Sequence, residues 1–383
     1  MTNKITAENP FQPPDRGLSL YIHVPFCARK CNYCAFYSRI PGDNDIALWL
    51  DSIKREFEMW KSRLGKCSLN TCYVGGGTPS LLKLTHWNEL ITALEENFSF
   101  NSDTEVTVEA NPNSLSVEQL LCWRDWRVTR VSIGVQSFDD AELQQMGRLH
   151  SSYQAHDAIS SALASGFSVS ADFIFGLPHQ PFTNWGRTLK EAVSTGIHHI
   201  SLYQLSLEKG TPWEKLNPEY LSDGYYPYRW AQWYLPKKNF RQYEISNFSM
   251  PGHYSRHNIN YWTGGDYLGT GPAASGYISG KRYTNYPDLY KYAESLKNGI
   301  LPVENKEELD CASSSREAAV LYLRMSYGID NIKYIEKYGE ENLLYVKNTL
   351  RKFPDDLYCE ENEHIFLTPK GMRVANFIWR ELI

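Results

Sequence analysis

Residues 18–38 read LSLYIHVPFCARKCNYCAFYS, a short apolar run passing directly into three cysteines, Cys27, Cys31 and Cys34. Leu18–Val24 has the length and apolar content of a strand. The C-x3-C-x2-C after it crowds three of the chain's eight cysteines into eight residues. The other five, Cys67, Cys72, Cys122, Cys311 and Cys359, are scattered, as small buried hydrophobes usually are. Thiolates are the usual ligands of iron–sulfur clusters, and a cubane normally takes four. Three from one loop leave one iron open to an exogenous ligand. A structural zinc site is one alternative, but it wants a closed set of four, and His23 is awkwardly placed on the strand to complete it. A redox pair at Cys31–Cys34 is another, and it leaves Cys27 without a role.

Outward from this stretch, strand-like runs recur at Thr71–Val74, Glu105–Val108, Arg130–Val135, Val169–Phe173 and His199–Leu202. Amphipathic helical patterns lie between them, at Ile46–Leu64, Leu84–Asn97, Val117–Asp125, Asp140–Met146 with Tyr153–Ala164, and Thr183–Ser194. Strand alternating with helix predicts an α/β fold around a parallel sheet. Each strand also ends on a polar or glycine element. These are the cysteine loop, Gly75-Gly76-Gly77-Thr78-Pro79, Glu109-Ala110-Asn111-Pro112, Gln136-Ser137-Phe138, Asp172 ahead of Gly176-Leu177-Pro178, and Gln204. Turn chemistry accounts for the glycines and prolines, but not for Glu109, Gln136 and Asp172. Strand ends that meet on one face are where a (β/α) barrel builds its site, so a partial or full barrel is expected over an open doubly wound sheet.

Residues 205–262 are dense in Trp and Tyr, as cores and interfaces are, and 263–280, rich in Gly and Ser, read as loop and turn. The last part reads as a separate unit: a helix at Ser315–Ser326 capped by Ser315, a helix at Glu341–Phe353, a hairpin of Leu357–Cys359 with His364–Leu367, and a final helix opened by Thr368-Pro369. That order suggests a winged-helix-like module. The expected organisation is a tail at 1–17, a barrel at 18–245, an aromatic and Gly-rich segment at 246–300, and the winged-helix-like unit at 301–383. Such modules often bind DNA, yet residues 301–383 carry 11 Lys and Arg against 15 Asp and Glu, which argues against nucleic acid. The whole chain, 383 residues with net charge −5, is a poor candidate for a phosphate backbone or an anionic membrane surface. The first 20 residues show no signal-peptide pattern, and no stretch approaches the ~18 apolar residues of a spanning helix. A cytoplasmic location without membrane insertion is expected.

Several motifs occur in order: YIHVPFCARKCNYCAFYS, VGGGTPSLL, VEANPNSL, RVSIGVQSFDDAELQQMGRLH, DFIFGLPHQ and HNINYW. Together they resemble the radical S-adenosylmethionine (SAM) superfamily, within it the oxygen-independent coproporphyrinogen III oxidase family, and within that the HemW-type heme chaperones. The resemblance runs from about Leu18 to the C-terminus. It implies a partial (β/α)6 barrel, a [4Fe–4S] cluster on Cys27, Cys31 and Cys34, and SAM chelating the open iron. Tyr21 and Tyr33 would lie beside the cluster and SAM. Gly76, Gly77 and Thr78 would receive the SAM amino group and carboxylate, and Glu109, Gln136, Arg148 and Asp172 match SAM-contacting positions, with Gln204 a weaker candidate. The oxidases resemble C-x3-C-x2-C-x-C, whereas Phe36 stands at that last position here, as in the chaperone branch. His257-Asn258-Ile259-Asn260-Tyr261-Trp262 is similar to the H-N-x-x-Y-W motif associated with heme, and it points to His257 as an iron ligand, with a bracing role as the bland alternative.

The resemblance therefore implies a chaperone binding heme, a cluster and SAM, and handing heme to an acceptor protein such as a membrane respiratory enzyme. A decarboxylase of coproporphyrinogen III and a radical methyltransferase acting on a tetrapyrrole are the enzymatic alternatives, so catalysis is left open and no catalytic residue is assigned.

Overall fold

The computed structural model describes residues 17–383, so the expected tail lies almost wholly outside the described residues. Six βα-type strands follow in chain order: β1 (Leu18–Val24), α1 (Asp45–Leu64), β2 (Ser68–Gly76), α2 (Leu84–Asn97), β3 (Ser99–Ala110), α3 (Val117–Trp126), β4 (Arg130–Gln136), α4 (Asp140–Gln145), α5 (Ser152–Ala164), β5 (Ser168–Phe175), α6 (Phe182–Ser194) and β6 (His199–Gln204). All six strands pair in sequence order and in parallel. After β6 come α7 (Tyr225–Tyr234), β7 (Arg241–Gln242), β8 (Asn247–Ser249), α8 (Arg256–Trp262), β9 (Tyr267–Thr270), β10 (Ser275–Ile278), β11 (Lys281–Asn285), α9 (Leu289–Lys297) and β12 (Val303–Glu308). Antiparallel β8 extends the sheet beyond β6, and β9 lies parallel on the other side of β1. The result is one open twelve-stranded sheet, in the order β12-β11-β10-β9-β1-β2-β3-β4-β5-β6-β8-β7. It is a partial barrel, not a closed one.

Strand alternation explains why this sheet curls around a polar interior. Leu20, Ile22 and Val24, Val106 and Val108, Val131, Ile133 and Val135, and Val169 and Ala171 are all fully buried, on the face packed by helices. The residues between them point the other way. In register across the sheet these are Ser19–Thr71–Glu105, Tyr21–Tyr73–Thr107–Arg130–Ser168, and Glu109–Ser132–Ser170–His199. A barrel filled with hydroxyls, carboxylates, an Arg and a His is built to be lined, whereas an apolar barrel is packed.

Residues 263–280, expected as loop, in fact contain β9 and β10. Glycine hid the strands because it does the pairing work: a Cβ on Gly269 would meet the Ser275 carbonyl at 1.8 Å, and one on Gly276 would meet the Tyr283 ring at 2.3 Å. The strand at 303–308, expected in the C-terminal unit, pairs with β11 in the large sheet.

A second core gathers α10 (Cys311–Arg324), β13 (Ile329–Asp330), α11 (Asn331–Tyr338), α12 (Glu340–Leu350), β14 (Tyr358–Glu361), β15 (His364–Leu367), α13 (Pro369–Met372) and α14 (Ala375–Leu382). Its three strands run in the order β13-β15-β14, the wing of a winged-helix-like unit. The cap of α10 is Asp310, whose side chain accepts from the Ser313 amide. Ser315, expected as the cap, is buried inside the helix and bonds back to the Ala312 carbonyl.

Candidate functional site

The loop after β1 is held by its neighbours on both sides. The Asn32 amide donates to Met146 O, its side chain donates to Gln145 O, and the Trp213 amide donates to Asn32 O. Lys30 Nζ closes the loop on Phe36 O at 2.6 Å. Cys27, Cys31 and Cys34 are free and half-buried. Two of the three sulfurs accept hydrogen bonds: Thr78 Oγ1 lies 3.5 Å from Cys27 Sγ, and Arg148 Nη1 lies 3.6 Å from Cys31 Sγ. Among the described residues no three His, Cys, Asp or Glu side chains gather on one point as a single-ion site needs. A cubane spreads its thiolates over separate irons, and hydrogen bonds to sulfur are how a protein tunes such a group. Three loop thiols with an Arg and a Thr beside them fit that donor set.

Behind the loop, Gly77 has no room for a side chain. A Cβ there would meet the Phe26 and Val24 carbonyls at 2.5 and 2.7 Å, and one on Gly76, whose φ is +106°, would meet the His23 ring at 2.4 Å. The Gly77 and Thr78 amides donate to Val24 O and Phe26 O, which fastens β2's end under the cysteine loop. A narrow cleft of about 20 Å³ opens here, lined among others by Cys31, Thr78, Asn111, Gly147 and Arg148.

Arg148 organises the cleft wall. Nη2 donates to Asn111 Oδ1 at 2.8 Å and to Gly134 O at 2.6 Å, while Nε is buried without a partner. The Tyr33 phenol lies beside Arg148. Asn111 in turn donates to Thr78 Oγ1 at 2.9 Å. Sequence reasoning did not select Asn111, although the Asn-Pro step at the end of β3 marked the place. Gln136 takes a left-handed φ of +68°, a conformation that costs a non-glycine residue of order 1–3 kcal/mol and clusters at functional sites.

Glu109 accepts from Tyr73 Oη at 2.8 Å and from the Gly76 amide at 2.9 Å. Enclosure pushes its carboxyl up to about 7, against those two hydrogen bonds. Asp172 accepts from Ser132 Oγ at 3.3 Å, and burial raises it too, Ser201 and Ser132 opposing. Tyr21 bonds His23 Nδ1 at 2.9 Å, and Gln204 packs under Gly224, where a Cβ would sit 2.3 Å from its side chain. Strand ends and the loops after them bring Tyr33, Gly76, Gly77, Thr78, Glu109, Gln136, Arg148, Asp172 and Gln204 to the cysteine end of the barrel, whereas Tyr21 lies mid-strand opposite Tyr73, the ring on which His257 stacks.

His257 is elsewhere. It begins α8, which closes the opposite end of the strands. The Arg256 and His257 amides donate to Glu105 at 3.1 and 3.0 Å. The ring is 1 % exposed, stacks on Tyr73 at 5.0 Å, and commits both nitrogens: Nδ1 to Thr71 Oγ1 at 2.7 Å and Nε2 to Tyr261 Oη at 2.8 Å. Burial lowers its pKa to about 3, so it is neutral. In this conformation it offers no lone pair to an iron. Trp262, from the same motif, lies under the Arg324 guanidinium at 4.3 Å, and Arg324 pairs with buried Glu244 at 2.7 Å. The segment joins the barrel floor to the C-terminal unit.

The family model of the radical SAM superfamily matches residues 21–192, the span that carries the three loop thiols, the glycine shelf and the Arg–Asn bracket. Over nearly its full length the chain is similar to the heme chaperone HemW of Lactococcus lactis, at 31 % identity over 95 % of this chain and 97 % of that one. It is similar also to HemW of Mycobacterium tuberculosis, at 32 % over 97 % and 96 %, and of Bacillus subtilis, at 30 % over 94 % and 98 %. The solved structure of Escherichia coli coproporphyrinogen III oxidase HemN shares the fold, with a TM-score of 0.84 at 21 % identity, covering 98 % of this chain and 91 % of that one. The chain belongs to the HemW family.

Proposed function

We propose that the protein is a cytoplasmic heme chaperone that holds a [4Fe–4S] cluster on Cys27, Cys31 and Cys34, binds SAM beside it, and passes heme to an acceptor such as a membrane respiratory enzyme. The observation that carries this reading is the end-to-end likeness to HemW proteins. Phe36 agrees with it: the side chain is 70 % exposed where the oxidases resemble a fourth cysteine. A bound cluster with SAM on its open iron would supply one-electron chemistry or a ligand-sensitive state.

The chain's own residues do the holding. Gly76 and Gly77 let backbone come close to a ligand, with Thr78 beside them. Arg148, already pointing at Cys31, suits the methionine carboxylate. Glu109 and Asp172 suit an ammonium and ribose hydroxyls, and a cation there returns the raised Glu109 carboxyl to its charged form. Gln136 and Gln204 complete the rim. In the resting state we assign His257 the bracing role, and heme ligation by it would require α8 to release both ring nitrogens.

The test is an optical titration of anaerobically reconstituted protein, once with heme and once with SAM, followed by incubation with coproporphyrinogen III, SAM and a strong reductant. Saturable heme and SAM binding without decarboxylated product is expected. Multiple turnovers to protoporphyrinogen would replace the carrier reading with the oxidase one.

A further inference from the structure

The stretch from Tyr225 to Gln242, YYPYRWAQWYLPKKNFRQ, contains four cations and no carboxylate, in a chain whose net charge is −5. α7 buries Pro227, Tyr228 and Ala231. Its opposite stripe is aromatic and cationic: Tyr226 is 62 % and Trp233 59 % exposed, and Arg229 lies between them. Lys237 Nζ sits 3.1 Å above the Trp233 ring, and Lys238 lies 5.9 Å from Tyr234. On the neighbouring helix, Phe182 is 48 % exposed and meets Trp230 edge-on at 5.9 Å, across a shallow groove of about 580 Å³ that Lys190 also lines. Of the acids nearby, Glu191 pairs with His156 and Asp139 with Arg187, and Asp223, exposed at the start of α7, accepts from the Tyr225 amide. Among the described residues, Lys190, Arg229, Lys237 and Lys238 pair with none.

Scattered exposed hydrophobics need no explanation, but this is one helix stripe of indole and phenol rings with ammonium groups at its end. Amphipathic rings partnered by Lys and Arg favour the water–lipid boundary, where the ring enters the headgroup layer and the cation stays among the phosphates. We propose that the outer face of α7, with the start of α6, docks the protein on an anionic membrane surface. A convex helix with its cations gathered towards one end suits a planar polyanionic surface better than an acidic protein's pocket. The acidic remainder of the chain, from which a membrane surface was not expected, keeps the other faces off the bilayer. Gly224, pressed against Gln204, sets the first turn of α7 at the mouth end of β6, while Lys237 and Lys238 lie at its other end, just before β7, which joins the sheet opposite the start of β6. The docking stands apart from the proposed function, and only heme release at the membrane rests on that function.

Co-sedimentation with lipid vesicles, without heme, tests the docking. The wild type should bind phosphatidylcholine vesicles containing phosphatidylglycerol, bind pure phosphatidylcholine far more weakly, and release as salt shortens the Debye length. Each cation near such a surface is worth about fivefold in partitioning, so Lys237→Glu with Lys238→Glu should lower it at least about 25-fold. Trp233→Ser should lower it on anionic vesicles too. All three sites are exposed, and an unchanged melting temperature checks that each variant folds. Equal binding to neutral vesicles, binding that survives the double reversal, or no vesicle binding at all overturns the proposal, the last leaving the face to an acidic protein. Failure of heme binding would leave the vesicle result standing, so the two readings fail separately.

Discussion

Replacing His257 by alanine separates the two roles that the HNINYW segment could have. The wild-type ring is buried, stacked on Tyr73 and bonded to Thr71 and Tyr261. Without it, the Tyr261 hydroxyl loses its imidazole partner inside the barrel. Thr71 keeps only its bond to Ser19 Oγ at 2.8 Å. A buried polar group left unsatisfied costs about 1–3 kcal/mol, and the cavity left by the ring adds to it. The sum is about 3–5 kcal/mol, a large part of a typical stability of 5–15 kcal/mol, so melting should fall by roughly 5–10 °C.

The loss should also depend on pH. The folded pKa, about 3, lies below the unfolded value. As pH falls below ~6.5 the unfolded wild type takes up a proton that the folded form refuses, and the wild type loses about 1.4 kcal/mol per pH unit that the alanine variant does not lose. The gap between the two proteins therefore narrows towards pH 5. Chemical denaturation at pH 7.5 and 5.5, with heme titrations well below the melting point, measures both quantities on one variant. Bracing predicts a destabilised protein whose folded fraction binds heme as before. A variant of unchanged stability that loses heme affinity and shifts the Soret band would refute the reasoning.

Single Cys27→Ser, Cys31→Ser and Cys34→Ser variants should lose most bound iron and sulfide after anaerobic reconstitution, whereas serine at Cys67, Cys122, Cys311 or Cys359 should not, as chemical analysis would show. Arg148→Ala should weaken SAM binding about tenfold or more by removing a charge-assisted contact, and Glu109→Gln should weaken it in the same direction; calorimetry with SAM reads both, and unchanged affinity in both would remove the mouth from SAM binding. Glu56, buried under Gly271 N, Asn285 Nδ2 and Tyr292 Oη at 2.8, 2.8 and 2.6 Å, is pushed up to about 7 by its burial. Its raised folded pKa gives stability that is complete below the unfolded value and lost as pH rises through 7. The advantage of wild type over Glu56→Gln should therefore shrink between pH 5 and pH 8 in denaturant melts, and an advantage that grows with pH would contradict it.

Most of the barrel was legible because its strands carry two signals at once. Apolar alternate positions mark Val131, Ile133 and Val135, while the polar positions between them, Arg130, Ser132 and Gln136, look like noise until the sheet curls. The cysteine spacing, the glycine shelf and the acidic strand ends needed only local reading. Asn111, Tyr73 and Arg130 were missed because their meaning is relational: Asn111 matters through Arg148, 37 residues away, and no local period encodes that. β9 and β10 were missed because Gly269, Gly271 and Gly276 look like turn residues, yet they admit close neighbours, the backbones of Ser275 and His23 and the Tyr283 ring.

His257 shows the same limit from the other side. The resemblance of HNINYW to a heme-associated motif points to His257 as a ligand, and only the third dimension shows that its neighbours consume both nitrogens. A barrel lined with Thr71, Tyr73, Glu105, Thr107 and Arg130 must end on something that satisfies those groups without filling the mouth. α8 does this for two of them: its first two amides meet Glu105 and its imidazole meets Thr71, while Arg130 bonds the His253 carbonyl just before the helix. Trp262 and Tyr322 then lock it to the C-terminal unit, through Arg324 and through the bond from Tyr322 Oη to Thr263 O at 3.2 Å. Any ligand that drew His257 out would have to uncap the barrel floor and loosen that unit together. A motif associated with heme and a floor that must stay closed are therefore compatible only if heme binds without His257 or if binding opens the floor. In the second case, heme should lower hydrogen-exchange protection in α8 and α10 together.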